Sequence, residues 1–116
     1  MKPVRIQLKR TKGYDLQAFS LALNGFPAVK VTRPGPYGNP YKVSDGRPAT
    51  IAIMCYEVAL LEVKIFGEAI PPKPWAVRII ADLDELRDKN LACWCKLSDE
   101  CHADVLWDLL YRAVTP

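Results

Sequence analysis

The sequence predicts an α/β domain, small and three-layered, with a short, mostly parallel sheet flanked by helices. Three observations carry this. An alternating stretch at residues 3–9, a capped helical stretch after Asp15 and an apolar run at residues 28–32 follow one another as strand, helix and strand, the order of a right-handed parallel crossover. A further apolar run, Leu91 to Cys95, leads directly into another helical pattern. The 116 residues suit one compact domain spanning 1–116, long enough for a sizeable core but not for two.

In the first stretch Val4, Ile6 and Leu8 alternate with Arg5, Gln7 and Lys9, so one face of the strand is apolar and the outer face basic. Arg10 to Tyr14 form a turn, with Gly13 free to take a left-handed conformation. Asp15 caps a helix carrying Leu16, Phe19, Ser20 and Leu23 at helical spacing, and Asn24-Gly25 ends it. The second strand, Ala28 to Thr32, runs into a segment with four prolines and three glycines between residues 33 and 48, too many for regular structure. Such a loop is stiff at proline and permits close approach at glycine, which suits it to hold Arg33, Tyr37 and Asn39 towards a ligand.

Residues 50–66 form the longest helix, with Ile51, Met54, Cys55, Val58, Leu61 and Ile65 on one stripe expected to face the core, and with Glu57 and Lys64 on the wetter side. Gly67 ends it, and Pro71 to Pro74 is an extended linker. Trp75 to Leu86 reads as one helix facing inward through Val77, Ile80, Leu83 and Leu86, closed by a polar turn at Arg87 to Asn90. The final helix packs Val105, Leu109 and Ala113 inward, with Trp107 and Tyr111 as packing partners.

The chemistry is concentrated in Cys93-Trp94-Cys95 and Cys101-His102, three of the four cysteines and the only histidine. In a strand Cys93 and Cys95 share a face while Trp94 points the other way. Ser98 or Asp99 is the expected N-cap of the following helix, which places Cys101 and His102 in its first turn. Three thiolates and an imidazole are a full tetrahedral set for zinc, and a helix N-terminus favours thiolates. Adjacent helical residues diverge by about 100°, so Cys101 and His102 reach one metal only if Cys101 still lies in the turn. The same residues admit two other readings, small core cysteines with a locally bonded histidine, or a thiol nucleophile activated by His102.

The net charge of +3 conceals an asymmetry. Residues 1–47 carry +7 and the remainder −4, so the first part of the chain is suited to an anionic partner, a nucleotide or a nucleic acid. No apolar run reaches membrane-spanning length, so no membrane partner is expected, and clustered cysteines without a signal segment point to a reducing, cytoplasmic setting.

Arg5 to Tyr14, then Arg33-Pro34 leading to Tyr37-Gly38-Asn39-Pro40-Tyr41, then Leu91 to Cys95 with Cys101-His102-Ala103-Asp104-Val105-Leu106, resemble the bacterial and phage family known as domain of unknown function 4326. The resemblance covers most of the chain. It implies that the basic start, the Gly-Asn-Pro loop and the Cys/His cluster are family features, and it supplies no reaction. Many members carry a tryptophan where Tyr37 stands, a change that keeps a flat aromatic.

These readings combine into one expectation: a zinc-binding domain that takes a nucleotide or nucleic acid. The metal ligands are Cys93, Cys95, Cys101 and His102; Arg10, Lys12 and Arg33 meet phosphate, Tyr14 or Tyr37 stacks on a base, and Asn39 reads a polar edge. Two alternatives stand beside it. One is an enzyme of nucleotide or nucleic acid metabolism with Asp104, His102 or Cys95 as catalytic candidates. The other is a phage or bacterial interaction protein that sequesters a nucleotide or a host partner. The oligomeric state is left open.

Overall fold

Three short strands, β1 (Arg5–Gln7), β2 (Ala28–Lys30) and β3 (Asn90–Cys93), lie parallel in the order β1-β3-β2. They belong to a computed structural model in which residues 2–33, 35–41 and 48–112 are described. Helices α1 (Leu16–Asn24), α2 (Ala49–Phe66), α3 (Pro74–Asp82) and α4 (His102–Tyr111) complete the domain, with a 3-10 turn over Leu83–Leu86. The small α/β fold is therefore as expected. The last strand in sequence is the middle strand in space, and all four of its residues are buried, which is why it reads as an unbroken apolar run after Asn90.

The alternation of side chains divides the core. Ile6, Leu8, Ala28 and Ala92 pack on one face of the sheet with Tyr14 and Leu16, under α1. Leu91, Cys93 and Val31 face the other way and join the larger core contributed by α2, α3 and α4. Asp15 caps α1 as expected, accepting from the Ala18 N–H at 3.1 Å, and Gly25 closes it at φ 81°. No described helix is long and apolar enough to cross a membrane.

Helix faces differ from the sequence expectation. In α2 the buried residues are Ala52, Tyr56, Ala59, Leu60 and Val63, whereas Ile51, Met54 and Val58 are 41%, 54% and 50% exposed and Cys55 is only partly buried. The helix is apolar nearly all round, so periodicity alone does not select a face. Small Ala52 and Ala59 allow close approach, and Tyr56 gains a partner for its hydroxyl, donating to the Tyr37 carbonyl at 2.7 Å and stacking on Trp75. In α3 the buried residues are Ala76 and Ile79; Ile80 packs half-buried against the core as expected, and Val77 is exposed. The tightening to three residues per turn at Leu83–Leu86 keeps Leu83 and Leu86 on the core side. In α1 Ser20 is buried while Phe19 and Leu23 are exposed, and Val4 is likewise outside the core. Trp107 and Tyr111 pack ring to ring at 4.7 Å, as anticipated. Ala113, Pro34 and the loop portion 42–47 lie outside the described residues.

Asn90 is not a turn residue. It is fully buried at the head of β3, where Oδ1 accepts from the Val4 N–H and the Asn24 amide, and Nδ2 donates to Ser20 Oγ, Asn24 Oδ1 and the Phe26 carbonyl. One amide thus joins β1, α1 and β3, with every polar atom satisfied.

Candidate metal centre

β3 ends at Cys93, and the chain bends through Trp94 and Cys95 before α4 begins. Cys93 Sγ lies 3.3 Å from Cys95 Sγ and 3.0 Å from Cys101 Sγ, and the three sulfurs all fall within 4.8 Å of one another. The three cysteines are free thiols placed to hold a metal ion. Cys93 and Cys101 are buried and Cys95 partly so, and Trp94 between them is 46% exposed.

The N-cap of α4 is Cys101, not Ser98 or Asp99, with extended backbone at φ −147°, ψ 149°, and His102 is the first helical residue. Cys101 therefore lies in the turn, the condition for two adjacent residues to approach one point. His102 Nδ1 is 3.7 Å from Cys101 Sγ, at the edge of the group and not within its span of all three sulfurs. Its Nε2 meets the Val31 carbonyl, which can only accept, so Nε2 carries the proton and Nδ1 presents its lone pair on the cysteine side. Tyr56 supports the ring edge-on at 5.5 Å.

The charge on the three thiols is shared unevenly. Hydrogen bonding from Cys101 pulls the Cys93 thiol down to about 5 against the effect of burial, helped by the Cys95 N–H at 3.4 Å. Cys101 is pushed well up by the same bond and by burial, and Cys95 is pushed up chiefly by burial. At neutral pH the cluster thus favours one thiolate, on Cys93.

Arg5 fixes the loop between the second and third cysteines. Its guanidinium donates to the carbonyls of Lys96, Leu97 and Asp99 at 2.9, 2.7 and 2.9 Å and pairs with Asp104 at 3.1 Å. Asp104 also accepts from the Cys101 N–H at 3.2 Å. The sequence reading assigned Arg5 to a basic outer face and missed this role. The signal was register: Arg5 is opposite Leu91, on the same side of the sheet as Cys93.

Beside the cysteines is a cleft of about 260 Å³ between the loops that leave β2 and β3, lined by Thr32, Arg33, Asn39, Tyr41, Trp94, Cys95 and His102 among others. The parallel pairing of β2 with β3 puts both loops on one edge. Arg33 reaches the cleft, and Arg10 stands over the Trp94 ring at 4.7 Å. Lys12 is exposed in the turn after β1 and does not line it. Two expectations are corrected. Tyr37 is 5% exposed, and its hydroxyl donates to the Asp82 carbonyl at 3.0 Å; burial with Glu85 and Asp82 nearby pushes it up to about 12, so this ring is core and not a stacking platform. Tyr14 packs beside Phe19 in the small core under α1, with its hydroxyl buried, away from the cleft. Asn39 borders the cleft but is committed to the loop, donating to the Ala52 carbonyl and accepting from the Tyr41 N–H. Of the catalytic candidates, Cys95 and His102 line the cleft and Asp104 does not.

Over residues 6–112 the chain matches the family described as Domain of unknown function (DUF4326). Neither a curated protein nor a solved structure shows a significant match to it.

Proposed function

The chain belongs to the family Domain of unknown function (DUF4326), and from that premise we propose that it is a small zinc-binding domain whose metal centre walls a cleft for a phosphate-bearing ligand, a nucleotide or nucleic acid. The observation that carries the reading is the convergence of Cys93, Cys95 and Cys101 within 4.8 Å beside a cleft that Arg33 enters. The donor set fits zinc. A tetrahedral site has S···S edges of about 3.8 Å and S···N edges of about 3.5 Å. The sulfurs at 3.0 and 3.3 Å need only spread slightly, and His102 Nδ1 at 3.7 Å from Cys101 Sγ is near the required edge. In the ligand cleft Arg33 meets phosphate and Trp94, backed by Arg10, replaces Tyr14 and Tyr37 as the stacking surface. Three free thiols persist in a reducing compartment, so the reading includes a cytoplasmic protein of bacterial or phage origin.

Metal analysis of protein purified without chelator is expected to give about one equivalent of zinc, lost in Cys93→Ser. Less than about half an equivalent overturns the metal. Calorimetric titration with ATP and with a short oligonucleotide tests the ligand: binding is expected to weaken in Arg33→Ala and Trp94→Ala, and no binding by the intact chain overturns it.

The position of His102 at the edge of the cysteine group favours a second reading. Three thiolates with water in the fourth place would make the centre hydrolytic, in an enzyme of nucleotide metabolism. X-ray absorption separates the two, since a structural site shows one nitrogen ligand that disappears in His102→Ala.

A further inference from the structure

We propose that the outer face of α2 is a self-association surface, on which a second copy of this chain packs its own α2 antiparallel about a two-fold axis. A surface helix needs one apolar stripe to join its own core. α2 has two. Ala52, Tyr56, Ala59, Leu60 and Val63 are buried within the fold; Ile51, Met54 and Val58 form a second, exposed stripe that the half-buried Leu61 and Ile65 continue, Leu61 also touching the core. Their steps of three, four, three and four residues are the spacing of a coiled-coil seam, the pattern by which one helix interlocks with another like itself. Ile51, Met54 and Val58 are 41%, 54% and 50% exposed, an apolar surface the protomer leaves in water.

Charge chooses the occupant and its direction. Glu57 and Lys64 each precede a seam residue on one flank, and Glu62 follows Leu61 on the other. Parallel packing of two copies would set Glu57 against Glu62, a like-charge pair. Antiparallel packing sets Glu57 of each copy beside Lys64 of the other, and the two-fold axis makes the pair twice. The seam runs for about four turns, roughly half the ~800 Å² a side of a standard interface, so the association is weak, with a Kd on the order of 10–100 µM.

Sedimentation equilibrium of the intact chain under reductant, from about 5 µM to about 1 mM, is expected to show a monomer–dimer equilibrium. Val58→Glu and, separately, Met54→Lys are expected to leave a monomer with an unchanged melting temperature, since both positions are half exposed. Glu57→Lys should weaken the dimer about tenfold, and the charge swap Glu57→Lys with Lys64→Glu should restore it. A wild-type chain that stays monomeric throughout, or a dimer that survives Val58→Glu and Met54→Lys, overturns the surface. Failure of the swap to restore association overturns the antiparallel arrangement.

Discussion

Replacing Arg5 tests whether the metal centre is held from outside its own segment. The guanidinium is 12% exposed and makes four bonds, three to carbonyls of the loop that joins Cys95 to Cys101 and one to Asp104, which in turn receives the Cys101 N–H. Hydrogen bonds to charged groups contribute about 1.5–3 kcal/mol each, but carbonyls on an exposed loop regain water when released, so Arg5→Met is expected to cost about 3 kcal/mol. Arg5→Lys should cost about half of that, because an ammonium is a point charge that cannot span three carbonyls and a carboxylate. The larger effect falls on the metal. Loss of the outer contacts that orient ligands weakens metal binding about 10- to 100-fold, and here the contacts fix the loop between two ligands. Urea unfolding with and without bound zinc gives the stability change, and competition with a chelating dye gives the affinity. A zinc affinity in Arg5→Met within about twofold of wild type would refute the claim that β1 organises the cluster.

Other outcomes follow from the same geometry. Because Cys95 and Cys101 are pushed up and keep their protons at neutral pH, while Cys93 is pulled down to about 5 and has lost its own, a zinc ion bound by all three would displace two protons. The sign is therefore tighter binding at higher pH, about 100-fold from pH 7 to pH 8, checked by chelator-buffered titration; a change below about tenfold contradicts it. Asn90→Ala should destabilise by about 3–4 kcal/mol in urea, because Val4, Ser20, Asn24 and Phe26 lose a buried partner together; a cost under about 1 kcal/mol would show that the network relaxes. In Gly38→Ala the new Cβ would lie 2.8 Å from the Arg33 N, so the loop must shift, with a loss of about 1–3 kcal/mol in thermal or urea unfolding and weaker ligand binding through displaced Arg33.

The sequence made the strands and their parallel sense legible because β1 alternates, β3 is an unbroken apolar run and the capped α1 sits between β1 and β2; that β3 lies in the middle came only with the fold. It made the cysteines legible because Cys93, Cys95 and Cys101 lie within nine residues of one another, although Cys95 stands in a bend after β3 and not in the strand. The wetted face of α2 was not legible: both faces are apolar, and the choice was made by Tyr56 needing a hydroxyl partner and by Ala52 and Ala59 permitting close packing. Asn90 was read as a turn residue because nothing in its neighbours announces that Ser20 and Asn24, about one turn apart on α1, will meet it. Tyr37 was read as a ligand platform because a tyrosine in a Pro/Gly loop has the same local sequence whether its hydroxyl faces solvent or the Asp82 carbonyl.

Although the cysteines and His102 come from one segment of ten residues, the remaining strands determine how they stand. β1 supplies Arg5, which fixes the intervening loop, and the residue after β2 supplies the Val31 carbonyl, which sets the proton of His102 on Nε2. A spacing that would be a poor isolated knuckle is therefore drawn together once the sheet has formed, and a metal held there would be tied to the folding of the whole sheet and not of a local loop. The same tie reaches the cleft. Val31, Thr32 and Arg33 are consecutive; the first accepts from His102 and the next two line the cleft, so the imidazole and the arginine that lines the cleft are joined through three residues.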